Sequence, residues 1–310
     1  MTVRSIARIF LCVLISSMLA VGMSSAADNG YKRIVVLGDP HLPGSMLEQK
    51  EKVRENINRW KDVDLIAAVG DITETRGTDD EYAAAKNYFA GFHKPQALIG
   101  GNHDYLYNDH LNRNGKKTKA DPFVRAGKLA YFRKTFGMPS LHYTKELGRY
   151  LLVFLTADDL QAATLATISK TGYDWLSATL EGNKNKATII FFHAPLEGTL
   201  GDYRKHSDIN DSFAQPAGEI KRILAANPQV FMWVSGHTHT PPGDQNFASG
   251  ANLYEGRIMN IHNTDMKRKH IYTNSLFLYD DKVIVRTFDH NKGVWMYKLE
   301  RTVRVRETDK

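Results

Sequence analysis

Gly101-Asn102-His103-Asp104 sets an amide oxygen, an imidazole and a carboxylate side by side, directly after the apolar run Ala97-Leu98-Ile99. The imidazole titrates near neutral pH, and a carboxylate beside it can hold the ring in one orientation. Four more apolar runs end in the same kind of residue. Ile34-Val35-Val36-Leu37 leads into Gly38-Asp39-Pro40-His41, and Leu65 to Val69 leads into Gly70-Asp71. Thr188 to Phe192 ends at His193, and Val230 to Val234 runs into Ser235-Gly236-His237-Thr238-His239. Short apolar runs rich in β-branched residues read as buried strands. In an α/β sheet the carboxyl ends of such strands line the ligand crevice. Five strands are therefore expected to deliver Asp, His and Asn to one rim.

Asp39 and His41 are two residues apart, as are His237 and His239, so each pair can face one way in extended chain. Gly38, Gly70, Gly101 and Gly236 fit tight turns where backbone crowds a site. The set of Asp39, His41, Asp71, Asn102, His193, His237 and His239 is too large for one tetrahedral zinc. It suits two metal ions sharing a bridging carboxylate. Such a centre keeps positive charge, attracts phosphate and lowers the pKa of water toward ~7. Nitrogen and oxygen ligands without sulfur allow manganese, iron, zinc or cobalt and disfavour calcium.

The ordered series Gly-Asp-x-His, Gly-Asp, Gly-Asn-His-Asp, strand-end His and Gly-His-x-His resembles the calcineurin-like metallophosphoesterases, over about Arg33 to Thr240. The resemblance implies a four-layer α/β/β/α sandwich of two mixed sheets flanked by helices. It implies one metal on Asp39, His41, Asp71 and His239. A second would sit on Asp71, Asn102, His193 and His237, with Asp71 bridging. Two divalent or mixed-valence transition-metal ions, Mn, Fe or Zn, are expected. His103 would contact the phosphate and protonate the leaving oxygen, with Asp104 orienting it. The reaction would be in-line attack on a phosphoester by a metal-bridging hydroxide. His41 stands where purple acid phosphatases have Gly, and Glu74 where they have Tyr. The chain is more similar to the cyclic-nucleotide phosphodiesterase-like members, which slightly favours a diester over a monoester.

The elements that must position these residues read in order as β-α-β-α-β through Asn102, with parallel strands. Helices are expected over Met46 to Trp60, from a capping box at Thr78 to Gly91, and over Pro122 to Phe136, Tyr173 to Leu180 and Ile220 to Leu224. Leu141 to Lys145 and Arg149 to Leu155 read as paired strands. Four strands follow from Arg257, Ile271, Lys282 and Val294, expected as an antiparallel region packed beside the α/β half, with a frayed tail from Arg301. The polar loop of Tyr105 to Ala120 carries Arg113, Lys116, Lys117 and Lys119. Its lysines read as solvated rather than as a lid, and so does Lys267-Arg268-Lys269.

Composition bounds the rest. The 310 residues carry a formal charge of +7 and one cysteine, Cys12. Arg4 and Arg8, an apolar stretch from Ile9 to Met23 and Ser24-Ser25-Ala26 read as a cleaved secretory signal over residues 1–26. The remaining 27–310 is expected as one metallophosphoesterase domain, periplasmic or secreted, with no transmembrane span. The mature chain then has no thiol, which excludes disulfides and cysteine nucleophiles. No nucleic-acid module or basic stripe is evident; the expected partner is a small phosphoester. His93, His110, His142, His206, His262, His270 and His290 read as structural, and His206, Asn263 and Tyr105 are the outer candidates for the pocket. The competing class is a metal-holding binding protein of the same fold without turnover.

Overall fold

The computed structural model describes residues 30–201 and 209–305. The expected signal segment, His206 and the last five residues lie outside the described residues. In chain order the elements are β1 (Lys32–Leu37), α1 (Leu47–Arg59), β2 (Leu65–Val69), α2 (Asp79–Ala90), β3 (Gln96–Ile99) and α3 (Asn102–Tyr105). There follow α4 (Pro122–Thr135), β4 (His142–Leu147), β5 (Tyr150–Leu155), α5 (Lys170–Glu181), β6 (Thr188–Phe192), α6 (Ala217–Ala225) and β7 (Val230–Ser235). The chain closes with β8 (Leu253–Tyr254), β9 (Ile258–His262), β10 (Tyr272–Leu278), β11 (Lys282–Asp289), β12 (Val294–Trp295) and β13 (Arg301–Arg304).

Two mixed sheets result. One runs β12-β11-β10-β1-β2-β3, with β13 beside β11; the other runs β4-β5-β6-β7-β9-β8. The five strands that end in ligand-type residues are thus shared between sheets. β1, β2 and β3 are mutually parallel in the first, and β6 and β7 are parallel in the second. Period-two alternation gives the second sheet two apolar faces. Leu152, Phe154, Ile189 and Phe191 turn into the core shared with the first sheet. Leu151, Val153, Ile190 and Phe192 turn the other way, onto Leu176 and Leu180 of α5 and Ile220, Ile223 and Leu224 of α6. The Tyr143 hydroxyl donates to the Leu98 carbonyl at 2.8 Å, and the Gly100 amide to Thr156 Oγ1 at 3.1 Å, tying the sheets together beside the site.

Several expectations need correction. The last strands do not pack beside the α/β half as one antiparallel region but join both of its sheets. β10 inserts beside β1, and β9 runs parallel to β7, because each offers a buried apolar row to an otherwise open edge. Residues 301–304 are not frayed but pair with β11. The run from Val294 to Leu299 breaks into β12 and one 3₁₀ turn, Tyr297–Leu299. At the start of α1, Met46 before the helix and Leu47 in it are exposed, while Lys50 is buried with Val53 and Ile57. The Lys50 ammonium donates to the His41 and Pro43 carbonyls at 2.7 and 2.8 Å, which fastens the loop carrying His41. The capping box at Thr78 and Glu81 is present as read.

Candidate metal centre

Asp39, His41, Asp71, His237 and His239 all have positive φ, between 42° and 63°. Left-handed backbone is uncommon for such residues and clusters at functional sites. It turns each side chain back over the strand end it has just left. The glycines leave room for this. A Cβ on Gly70, at φ 89°, would stand 2.5 Å from His193 Nδ1, and one on Gly236 would stand 2.1 Å from Asp39 Oδ2.

The turns gather two groups of side chains. Asp39, His41, Asp71 and His239 offer ligand atoms that all lie within 4.8 Å of one another, and so do Asp71, His193 and His237. Asp71 belongs to both, and its two oxygens divide between them. Oδ1 is 3.3 Å from His193 Nε2, while Oδ2 is 3.9 Å from His41 Nε2. Asn102 Oδ1 joins the second group, 3.1 Å from His193 Nε2. His103 is in neither group; its Nε2 is 3.8 Å from Asp71 Oδ2.

Each imidazole commits one nitrogen to an acceptor outside the centre. His41 Nδ1 donates to the Glu74 carbonyl at 2.9 Å, and His193 Nδ1 to the Val69 carbonyl at 2.8 Å. His237 Nε2 donates to the Asp211 carbonyl at 2.6 Å, and His239 Nδ1 to Asp265 Oδ2 at 3.0 Å. A carbonyl can only accept, so the tautomers follow from the partners. The remaining nitrogens point inward and meet in pairs. His41 Nε2 lies 3.2 Å from His239 Nε2, and His237 Nδ1 lies 3.1 Å from His193 Nε2. Inward nitrogens this close, their rings' outer nitrogens already committed, repel one another unless a proton or a cation lies between them. A cation placed between them resolves that repulsion, so this donor set fits two divalent metal ions.

The charges agree. Burial alone would raise the Asp71 pKa, but His193, His103 and His41 hold it well below the usual carboxylate range. Burial would lower His193, yet the carboxylates of Asp71 and Asp39 raise it to about 9. In the metal-free chain a proton therefore occupies the place a cation would take. Burial drives His41 well below its ordinary value, with Asp71 opposing.

Asp104 does not orient His103, contrary to expectation. The His103 Nδ1 hydrogen goes to the Glu74 carbonyl at 2.8 Å. The Asp104 carboxylate accepts instead from the amides of Gly101 at 2.8 Å, Thr73 at 2.8 Å and Ile72 at 3.2 Å, and from Thr73 Oγ1 at 2.9 Å. It props the turn that follows Asp71. Of the outer candidates, Tyr105 is buried in the core under α4 and α5, and Asn263 bonds the Ser235 carbonyl and Asn274. Neither lines the site. Sequence reasoning missed Asp265, whose carboxylate is held down to about 2, against burial, by His239 and Arg268. It also missed the carbonyls of Glu74, Val69 and Asp211. Asp265 follows β9 in a polar Asn-Thr-Asp stretch, the one signal that pointed to it.

A family model described as calcineurin-like phosphoesterase matches residues 32–241. No curated protein sequence is matched. Among solved structures, a dimetal phosphatase from Danio rerio is similar at 12% identity and TM-score 0.61, over 89% of this chain and 99% of that one. A purple acid phosphatase from yellow lupin (Lupinus luteus) seeds is similar at 15% identity and TM-score 0.56, over 85% of this chain and 52% of that one. GAP50, the anchor in the inner membrane complex of Plasmodium, is similar at 14% identity and TM-score 0.55, over 89% of each chain. At these identities the likeness to the three structures is one of fold.

Proposed function

As the chain belongs to the calcineurin-like phosphoesterases and is a metal-dependent phosphoesterase, we propose that it is exported and hydrolyses a phosphodiester at a two-metal centre. The observation that carries the site assignment is the double close approach of inward imidazole nitrogens, His41 with His239 and His193 with His237, around the shared Asp71. Asp39, His41, Asp71 and His239 would hold one ion; Asp71, Asn102, His193 and His237 would hold the other. When bound, two divalent ions supply Lewis acidity for the phosphoryl oxygens and lower the pKa of water toward neutrality.

The chain's own groups do the rest. The centre opens on the side of His103 and His239, whose side chains are 16% and 20% exposed while the other imidazoles are almost wholly covered. A substrate phosphate therefore arrives beside His103. With Nδ1 fixed by Glu74, His103 presents Nε2 inward and can pass a proton to the leaving oxygen, a role worth roughly 10²–10⁴ in rate. Burial holds the free ring at about 4, with Asp71 opposing. It carries that proton at neutral pH only when the negative charge of the bound phosphate supports it. His41, in place of a glycine, supports the diester reading, and the N-terminal Arg-flanked apolar segment supports export.

The test is a paired assay on manganese-loaded protein lacking the residues before Ala27, with p-nitrophenyl phosphate in one arm and bis-p-nitrophenyl phosphate in the other. The expected result is faster turnover of the diester, lost in His103→Ala and Asp71→Asn. Monoester preference would replace the diester reading. Two bound metals with turnover of neither ester would favour a binding protein of this fold.

A further inference from the structure

Two lysines that the sequence leaves as solvated stand at the mouth of the centre. The loop from Tyr105 to Ala120 is not loose. The Asn108 amide donates to the Thr118 carbonyl at 3.0 Å, the Ala120 amide to the Leu106 carbonyl at 2.8 Å, and Tyr107 bridges to Lys119. That pairing lays Lys117 Nζ 4.3 Å from the centre of the Tyr107 ring, and the Tyr107 ring is 5.7 Å from that of His103. On the other side, the Lys267 amide donates to Asp265 Oδ1 at 3.1 Å, while Asp265 Oδ2 takes the His239 hydrogen at 3.0 Å. Lys117 thus lies over the ring that neighbours His103, and the backbone of Lys267 is fixed to the carboxylate that holds His239.

The charges of both lysines reach the centre. Lys117 is exposed overall, yet desolvation lowers its pKa, Asp71 opposes this, and the charge of Lys267 lowers it further. Lys267 and Lys117 both weaken the basicity of His103. Lys117 also faces Glu81 and Arg76, which act on it in opposite directions.

Charge balance says what would sit between them. Two divalent ions less Asp39, Asp71 and a bound hydroxide would leave one positive charge, and this already matches the single charge of a phosphodiester group. The lysines add two more, with no carboxylate bonded to either ammonium among the described residues. We propose that Lys117 and Lys267 form a clamp for a second anionic group of the substrate, selecting phosphoesters that carry a carboxylate or another phosphate beyond the scissile one. The assignment rests on the phosphoesterase reading of the centre. Tyr107 keeps Lys117 in place by the attraction of its ring face for the cation, and the Asp265 carboxylate anchors the Lys267 backbone.

The test measures binding rather than turnover. Two non-hydrolysable probes, 3-phosphonopropionate and propylphosphonate, share a phosphonate and a three-carbon chain and differ in a terminal carboxylate. Calorimetry on the manganese-loaded chain compares them on the natural protein, on the double variant Lys117→Met with Lys267→Met, and on Lys117→Arg with Lys267→Arg. The expected result is a preference of about tenfold for the carboxylate probe, as two charge contacts at a partly exposed rim would give. That preference should vanish in the methionine variant, persist in the arginine variant, and leave propylphosphonate affinity unchanged. Equal affinities in the natural protein, or a preference that survives both methionines, would overturn the clamp and leave the centre standing. Failure of both phosphonates to bind the natural protein would overturn the clamp and the phosphoesterase reading together.

Discussion

His103 gives its Nδ1 hydrogen to the main-chain carbonyl of Glu74, 2.8 Å away. The same carbonyl takes the Nδ1 hydrogen of His41 at 2.9 Å. One peptide oxygen therefore sets the orientation of an imidazole proposed to hold metal and of the imidazole proposed to act on substrate. No side-chain substitution at Glu74 removes that acceptor. The couple is protected against point mutation in a way that a neighbouring carboxylate would not be.

The separate duties of His103 and Asp104 predict separable defects. His103→Gln should lower kcat by roughly 10²–10⁴ while bound metal and stability stay near those of the natural chain. Asp104→Ala removes the acceptor for four hydrogens around the Asp71 turn and should cost about 3–5 kcal/mol of stability, seen as a lower urea midpoint. An Asp104→Ala protein of unchanged midpoint and lowered kcat would restore the orienting role to Asp104.

Metal binding should depend on pH through His193. Its pKa is raised to about 9, so at neutral pH the metal-free chain carries a proton that a cation must displace. Apparent affinity is expected to rise by about tenfold per pH unit between 7 and 8.5, with about one proton released per chain. Calorimetry in two buffers of different ionisation enthalpy reads that release. A heat independent of buffer would contradict it.

Acid should weaken the fold through histidines away from the centre. Burial drives His290 and His262 down to about 3. His290 accepts at Nδ1 from the Asn56 amide at 3.2 Å and meets Thr273 Oγ1 at Nε2, 2.8 Å away, so it has no place for a second hydrogen. The unfolded chain takes up a proton at each as pH falls below 6.5, and the folded chain does not. Stability is therefore full above that pH and declines below it, by about 2 kcal/mol for each by pH 5. Chemical denaturation at pH 7 and pH 5 should show this loss, with a shallower decline in His290→Gln.

Gly236→Ala tests how tightly backbone crowds the site. The added methyl would meet Asp39 Oδ2 at 2.1 Å, and that carboxylate also holds the His237 amide at 2.9 Å. Metal affinity is expected to fall by about 10–100-fold, the range seen when a partner of a ligand is disturbed. Gly243→Ala, where an added methyl meets nothing within 4 Å, should leave affinity unchanged.

The sequence exposed the strand-end residues because Asp, His and Asn are conspicuous after runs such as Thr188 to Phe192. It did not reveal that those runs divide between two sheets, since a buried strand reads alike in either. The insertion of β10 beside β1 was equally hidden, because such pairing joins residues some 240 positions apart, as Arg33 with Phe277. The α1 periodicity located the helix and its buried Val53 and Ile57, but not Lys50 beside them, which two carbonyls accommodate. The acceptors that fix the imidazoles were invisible for a simpler reason. A peptide carbonyl at Val69, Glu74 or Asp211 has no signature in residue type.

The central claim is a shared centre for two divalent ions bridged by Asp71. It is tested most directly by counting metal on the chain after exhaustive dialysis from a manganese buffer. Two ions per chain are expected in the natural protein, and fewer than one in Asp71→Ala, because both groups lose the same ligand. One ion or none in the natural protein, or two retained in Asp71→Ala, would contradict the account.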